Sequence, residues 1–196
     1  MAKNLEKGIE EALSLTFSDL EKGLDKFNTE ESGSTACIVH IIKDPSNSKY
    51  PFTIYSANVG DTRCSLISPE LIKRLTFDHR VTDINEKMRM LQSGAHIKDP
   101  MVKGEIMLSR AFGDENWHSI GVKCDPYIQK TLISSKTKYQ YLIIASDGIW
   151  DKVSEEDIQN IIPNCLDSNN LNKSIIKMAI TRGASDNLSL FVIRLL

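Results

Sequence analysis

The sequence predicts an α+β protein, with strands and helices gathered in separate runs instead of strict alternation. Two observations carry this. Apolar residues at helical spacing open the chain and return near its end, and β-branched runs bounded by turn residues follow residue 34. At the start, Leu5, Ile9, Leu13, Phe17, Leu20, Leu24 and Phe27 recur at three- and four-residue steps and mark one face of a long helix. Glu30-Glu31-Ser32-Gly33-Ser34 breaks that period. Residues 35–42 then read as a strand, Pro45-Ser46-Asn47-Ser48 as a turn, and residues 52–59 as a second strand. The Gly60-Asp61 turn leads into a third strand at 64–67, and so short a connection predicts an antiparallel β-hairpin.

Thr82 and Asp83 cap a short helix that carries Ile84, Met88 and Leu91 on its apolar face, exposes a charged side and stops near Gly94. The continuous apolar run over 141–145 suits a buried strand that delivers Asp147 to the rim of a sheet. Ser154 with Glu155 and Glu156 opens a helix closed by Pro163. A last helix over 171–182 ends at Gly183, and residues 188–195 alternate toward a final strand. Residues 1–196 are expected to form a single domain.

Composition excludes several classes. With 196 residues, 26% of them charged, and a formal net charge of -2, the lysines and arginines are dispersed and form no basic stripe for a nucleic acid. No apolar run approaches the roughly 18 residues of a membrane span, and the opening Met1-Ala2-Lys3-Asn4-Leu5-Glu6 lacks the apolar core of a signal peptide. A cytoplasmic or nuclear setting follows. Cys37, Cys64, Cys124 and Cys165 are far apart with no Cys-x-x-Cys spacing, which predicts buried free thiols and no zinc site.

Aspartates stand beside glycines or turns at strand ends: Asp61 after Gly60, Asp147 before Gly148, Asp151 four residues on, and Asp186 before Asn187. Clustered carboxylates suit a hard divalent cation such as Mn2+ or Mg2+, and only four histidines are available for any other kind of centre. Each aspartate taken alone reads first as a turn residue or helix cap.

Six segments occur in one order: Gly33-Ser34-Thr35-Ala36, Ala57-Asn58-Val59-Gly60-Asp61-Thr62-Arg63, Asp78-His79, Leu108-Ser109-Arg110-Ala111-Phe112-Gly113-Asp114, Ala145-Ser146-Asp147-Gly148-Ile149-Trp150-Asp151 and Arg182-Gly183-Ala184-Ser185-Asp186-Asn187. That order resembles the protein phosphatase 2C family. The resemblance implies a two-layer antiparallel β-sandwich flanked by helices, and the reaction it implies is hydrolysis of phosphoserine and phosphothreonine in phosphoproteins by a metal-activated water. It implies that Asp147 and Asp186 are ligands of a first catalytic metal, and that Asp61 and Asp151, with Asp147, hold an accessory one. The expected cofactor is Mn2+ or Mg2+. Arg110 reads as an ion-pair partner within the fold, His79 as a packed or capping histidine, and Trp150 as core beneath the metal rim.

Family members also carry a phosphate-gripping arginine, a Glu-Asp pair and an Asp-Gly-His-Gly motif, and the first 32 residues here hold no Asp-Gly, no Arg and no His. The expectation is therefore a chain incomplete at its N-terminus and impaired as a phosphatase. The alternative is an inactive pseudophosphatase that serves as a binding or regulatory module for a protein partner. Apolar strand surface over 35–42, stripped of neighbours, predicts a homodimer, unless the Leu5, Ile9, Leu13, Phe17 and Leu20 face of the first helix covers it.

Overall fold

The computed structural model describes residues 8–98, 100–102, 104–165 and 167–195. Leu5, assigned above to the first helix, lies outside them. In chain order the described elements are α1 (Ile9–Leu24), β1 (Gly33–Ser34), β2 (Ala36–Lys43), β3 (Phe52–Val59), β4 (Arg63–Ser68), β5 (Leu71–Arg74), α2 (Ile84–Gln92), β6 (Ile97–Lys98) and β7 (Met101–Val102). They continue with β8 (Phe112–Gly113), β9 (Tyr127–Ile133), β10 (Tyr141–Ala145), α3 (Asp147–Trp150), α4 (Glu155–Ile161), α5 (Ser168–Thr181) and β11 (Leu190–Arg194). Two compact units emerge. One holds the described residues through Ile38, with Ala57–Asp61 and Phe77–Ile128; the other holds Val39–Ser56, Thr62–Thr76 and the described residues from Gln129 onward. Among the described residues no helix is long and apolar enough to cross a membrane.

The second unit is built on an antiparallel sheet in the order β11-β10-β4-β5. Strand β10 pairs on one edge with β11, Ala145 opposite Leu190, and on the other with β4, Ala145 opposite Arg63. Alternation then sends Ile67, Tyr141, Ile143 and Ala145 to one face, where they form a single core cluster with Ile149, Ile158, Leu171, Ile175 and Ala179 from α3, α4 and α5. Helix α4 begins with a capping box: the Ser154 hydroxyl accepts from the Asp157 N–H, and the Asp157 carboxylate accepts from the Ser154 N–H. Helix α5 starts at Ser168, three residues earlier than its apolar period indicates, because Asp167 caps it by accepting from the Asn170 N–H.

The hairpin expected between the second and third strands is not formed. Strand β3 is the middle strand of a separate sheet, β2-β3-β9, while β4 lies between β10 and β5. The reason is a contact made further along the chain. The Gly60 carbonyl, which would close a tight turn, instead accepts from the His79 N–H at 3.0 Å, so the segment after β3 is tied to residues 77–79. The true hairpin is β4–β5, with Ser68 opposite Leu71 across Pro69-Glu70.

In the first unit α1 buries Ala12, Leu13, Thr16 and Phe17, and the Phe17 ring stacks on Phe112 of β8 at 5.3 Å between centroids. Leu20 is exposed, and Phe27 lies beyond the helix end and is exposed too. Helix α2 is capped by Asp83 as expected, its carboxylate accepting from the Asn85 and Glu86 N–H groups. Its orientation is the reverse of the expected one. Ile84, Met88 and Leu91 are 64%, 50% and 43% exposed, and the buried residues are Glu86 and Met90.

Charge decides that orientation. Glu86 Oε1 accepts from Arg110 Nη2 at 2.6 Å, and Oε2 accepts from Arg110 Nε at 3.0 Å, Arg89 Nη2 at 2.8 Å and Ser109 Oγ at 2.7 Å. The Arg110 guanidinium, in a poorly solvated place, requires an anion, and the helix turns its glutamate inward to supply it, with Arg89 of the same helix as the second partner. Glu155 does the same in the second unit, meeting Arg63 at 3.1 Å, Arg74 at 2.9 Å and the Ser65 hydroxyl at 3.2 Å. Of the four free thiols only Cys64 is fully buried, which corrects the expectation for Cys37, Cys124 and Cys165. Cys37 lies in edge strand β2, all of whose residues keep partial access to solvent, although burial still pushes its thiol up to about 12.

For Glu86, burial raises the carboxyl pKa, but the hydrogen bonds from Arg110, Arg89 and Ser109, with the charge of Arg110, together hold it well below the carboxylate range. A depressed folded-state pKa contributes stability that is complete above the unfolded value, about 4.3, and is lost as pH falls through the folded one. Glu86→Ala should therefore cost about 3–5 kcal/mol at neutral pH in urea unfolding, with the gap to wild type closing as the solution is acidified below about pH 4.

Candidate functional site

The sheet of the second unit sets Asp147 and Asp186. Strand β10 ends at Ala145 and β11 begins at Leu190, so the residues after one and before the other are neighbours. The Ser146 N–H donates to the Ser189 carbonyl at 3.1 Å, and the Ser189 N–H donates to Ser146 Oγ at 3.2 Å. Gly148 seats this junction: a Cβ there would lie 2.4 Å from the Asn187 carbonyl oxygen. Asp147 and Asp186 are thus carried at one end of the sheet. Each uses Oδ1 to accept from the next N–H in the chain, Gly148 at 2.9 Å and Asn187 at 2.7 Å. Asp151 follows one turn later, its N–H donating to the Asp147 carbonyl at 2.8 Å. Beneath this end Trp150 is buried, its indole N–H shared between the Ala145 and Arg63 carbonyls, with the Arg63 guanidinium 5.1 Å from the ring centroid.

Asp61 belongs to the first unit and is buried. It follows Gly60, whose φ of +80° suits glycine and whose missing Cβ would sit 2.2 Å from Thr35 Cγ2. The Gly60 carbonyl accepts from the His79 N–H and from Asn58 Nδ2 at 3.1 Å, and it lies 3.1 Å from His79 Nδ1. Asn58 also donates to the Phe77 carbonyl at 2.7 Å and accepts from the Phe77 N–H at 3.2 Å. A carbonyl only accepts, so the His79 hydrogen is on Nδ1 and Nε2 is an acceptor, buried without a hydrogen-bond partner among the described residues. Burial, followed by the charge of Arg110, pushes His79 down to about 4 and leaves the ring neutral at pH 7. The packed histidine and the structural arginine read from the sequence are both found in these roles, Arg110 in the Glu86 network. Sequence reasoning missed Arg80, whose Nε donates to Asp61 Oδ2 at 2.8 Å. Its position directly after Asp78-His79 was the available signal.

A divalent ion of the expected kind needs several oxygen donors around one point. Among the described residues no group of three or more His, Cys, Asp or Glu is placed to hold a metal. The donor set present does not by itself fit a complete metal centre.

The sequence profile of protein phosphatase 2C matches residues 2–188, and the chain belongs to that family. It is 28% identical to protein phosphatase 2C homolog 1 of Saccharomyces cerevisiae, over 95% of this chain and 69% of that protein. It is 30% identical to probable protein phosphatase 2C 59 of Oryza sativa, over 96% of this chain and 55% of that protein. Among solved structures, a C. elegans sex determining protein matches with a TM-score of 0.78 at 24% identity, over 95% of this chain and 47% of that one. A serine-threonine phosphatase 2C from Toxoplasma gondii matches with a TM-score of 0.73 at 18% identity, over 98% of this chain and 67% of that one. The chain thus spans between about half and two thirds of these relatives. The fold is the α+β architecture of antiparallel sheets and helices that the sequence resemblance implied.

Gly148→Ala places a methyl against a backbone oxygen that cannot swing away. It should cost about 1–3 kcal/mol in urea unfolding and raise amide hydrogen exchange over residues 187–189, the strand end that Gly148 seats.

Proposed function

We propose that this chain is a serine/threonine phosphatase module acting on phosphoproteins, and that taken by itself it hydrolyses phosphomonoesters weakly. The observation that supports this is Asp147 and Asp186 on adjoining strand ends of a protein phosphatase 2C domain. In this reading the two carboxylates, with Asp151 beside them, are the chain's contribution to an Mn2+ or Mg2+ site. Such an ion, when bound, supplies an activated water for attack on phosphorus. The chain's own part is to fix the carboxylates: the Ser146–Ser189 hydrogen bonds set their spacing, and the backbone N–H donors set one oxygen of each. The weakness follows from the donor set, since among the described residues no three His, Cys, Asp or Glu side chains converge to hold one metal.

A second reading, a non-catalytic binding or regulatory module, is favoured by the Asp61–Arg80 pair, which already neutralises one of the four candidate carboxylates. Hydrolysis of p-nitrophenyl phosphate with Mn2+ and with Mg2+ separates the two. The phosphatase reading expects a metal-dependent rate at least about 10²-fold below that of a full-length family member, abolished by Asp147→Ala. A signal that survives Asp147→Ala, or none at any metal concentration, leaves the binding-module reading. Strand β2 supports a homodimer, since its residues from Ala36 to Ile42 are all only half-buried. Light scattering after gel filtration should give twice 22.0 kDa at tens of micromolar, and a mass of 22.0 kDa would rule the dimer out.

A further inference from the structure

We infer that the cation at Asp61 in this chain is the guanidinium of Arg80, a built-in counter-ion standing where the family resemblance assigns an accessory divalent metal. The inference rests on that reading of the candidate carboxylates and departs from it at one of them. Three observations lead to it.

The contact is short and directional, Arg80 Nε donating to Asp61 Oδ2 at 2.8 Å, as a charge-assisted hydrogen bond requires. It is also shielded, with 9% of the Asp61 side chain and 25% of the Arg80 side chain exposed, so the charges are held where water screens them poorly.

Both partners stand on fixed backbone. Asp61 follows Gly60 and Arg80 follows His79, and the His79 N–H donates to the Gly60 carbonyl at 3.0 Å, so the two short segments are stitched side by side one residue before the ion pair. Buried Asn58 ties the same segments again through Gly60 and Phe77. Beyond the pair, Arg80 forms an antiparallel bridge with Leu108. The pairing therefore needs little further ordering of either side chain, which is the cost that makes most exposed ion pairs weak.

Charge balance supplies the third step. A buried carboxylate needs one compensating charge, and Arg80 provides it. A divalent ion on the same carboxylate would bring two more positive charges against the guanidinium, so metal and Arg80 compete for Asp61. The positive charge at Asp61 is thus covalently tethered, unaffected by chelators and independent of metal supply.

Mn2+ binding to the purified chain, followed by the loss of free-ion electron paramagnetic resonance signal, tests this without reference to turnover. Wild type, Asp61→Asn, Arg80→Met, the double variant and Asp147→Asn are compared. The expected result is that Asp61→Asn leaves Mn2+ affinity within about twofold of wild type, while Arg80→Met raises it by about tenfold or more and the double variant loses that gain. Thermal unfolding should agree: Arg80→Met melts lower than wild type, and Mn2+ restores part of the loss only while Asp61 is present. An Asp61→Asn variant that weakens Mn2+ binding about tenfold with Arg80 in place, or an Arg80→Met variant with no gain, overturns the inference. Should Arg80→Met fail to fold, the isosteric Asp61→Asn comparison decides alone. Asp147→Asn keeps the two readings apart: Mn2+ binding that it leaves unchanged defeats the sheet-end site and has no bearing on the pair at Asp61.

Discussion

A strand with almost no solvent on either face must satisfy every backbone N–H and C=O on its neighbours, and β10 is such a strand, with Tyr141, Leu142, Ile143 and Ala145 all buried. That requirement brings β4 to one edge and β11 to the other in a register fixed by five residue pairs on each side. The rest of the second unit depends on it. The helices pack on the face that Ile143 and Ala145 present, and the chain leaves β10 beside the point where it enters β11. Asp147 and Asp186 are carried at the same end of the sheet because β10 pairs directly with β11 and neither strand can leave its hydrogen bonds unmade.

Each unit also keeps one buried glutamate between two arginines and a serine. Such networks add little to stability relative to a well-packed apolar core, since removing the charges from water costs about what their attraction returns. They do specify orientation. Rotating α2 to bury its apolar stripe would carry Glu86 and Arg89 away together and strand Arg110 without its carboxylate. The Glu155 network likewise ties the first turn of α4 to β5 and to β4, the strand beside β10.

What the sequence made legible follows from which forces act locally. Strands β3 and β10 match their expected bounds because their β-branched and apolar runs end at glycine or serine. The caps at Asp83 and Ser154 were readable because capping is a contact within one turn. The hairpin failed because the partner of the Gly60 carbonyl is nineteen residues away, at His79, where no turn statistic reaches. The face of α2 failed because hydrophobic periodicity takes no account of the arginines that a buried glutamate must answer. The four aspartates were found by motif. Whether their oxygens meet a metal or a guanidinium depends on contacts such as that of Arg80, made across the fold.

The reversal of α2 also gives two neighbouring sulfur atoms different chemical fates. Met88 lies on the half-exposed side of the helix, while Met90 is enclosed with Val81, Ala95, Val102 and Val122. A peroxide reaching the first thioether makes a sulfoxide that water solvates at little cost to the fold. The second is oxidised only after the cluster opens, and the polar oxygen it then carries has no place to return to. Damaging oxidation of the first unit is therefore set by how often that small core opens as well as by how much oxidant surrounds the protein.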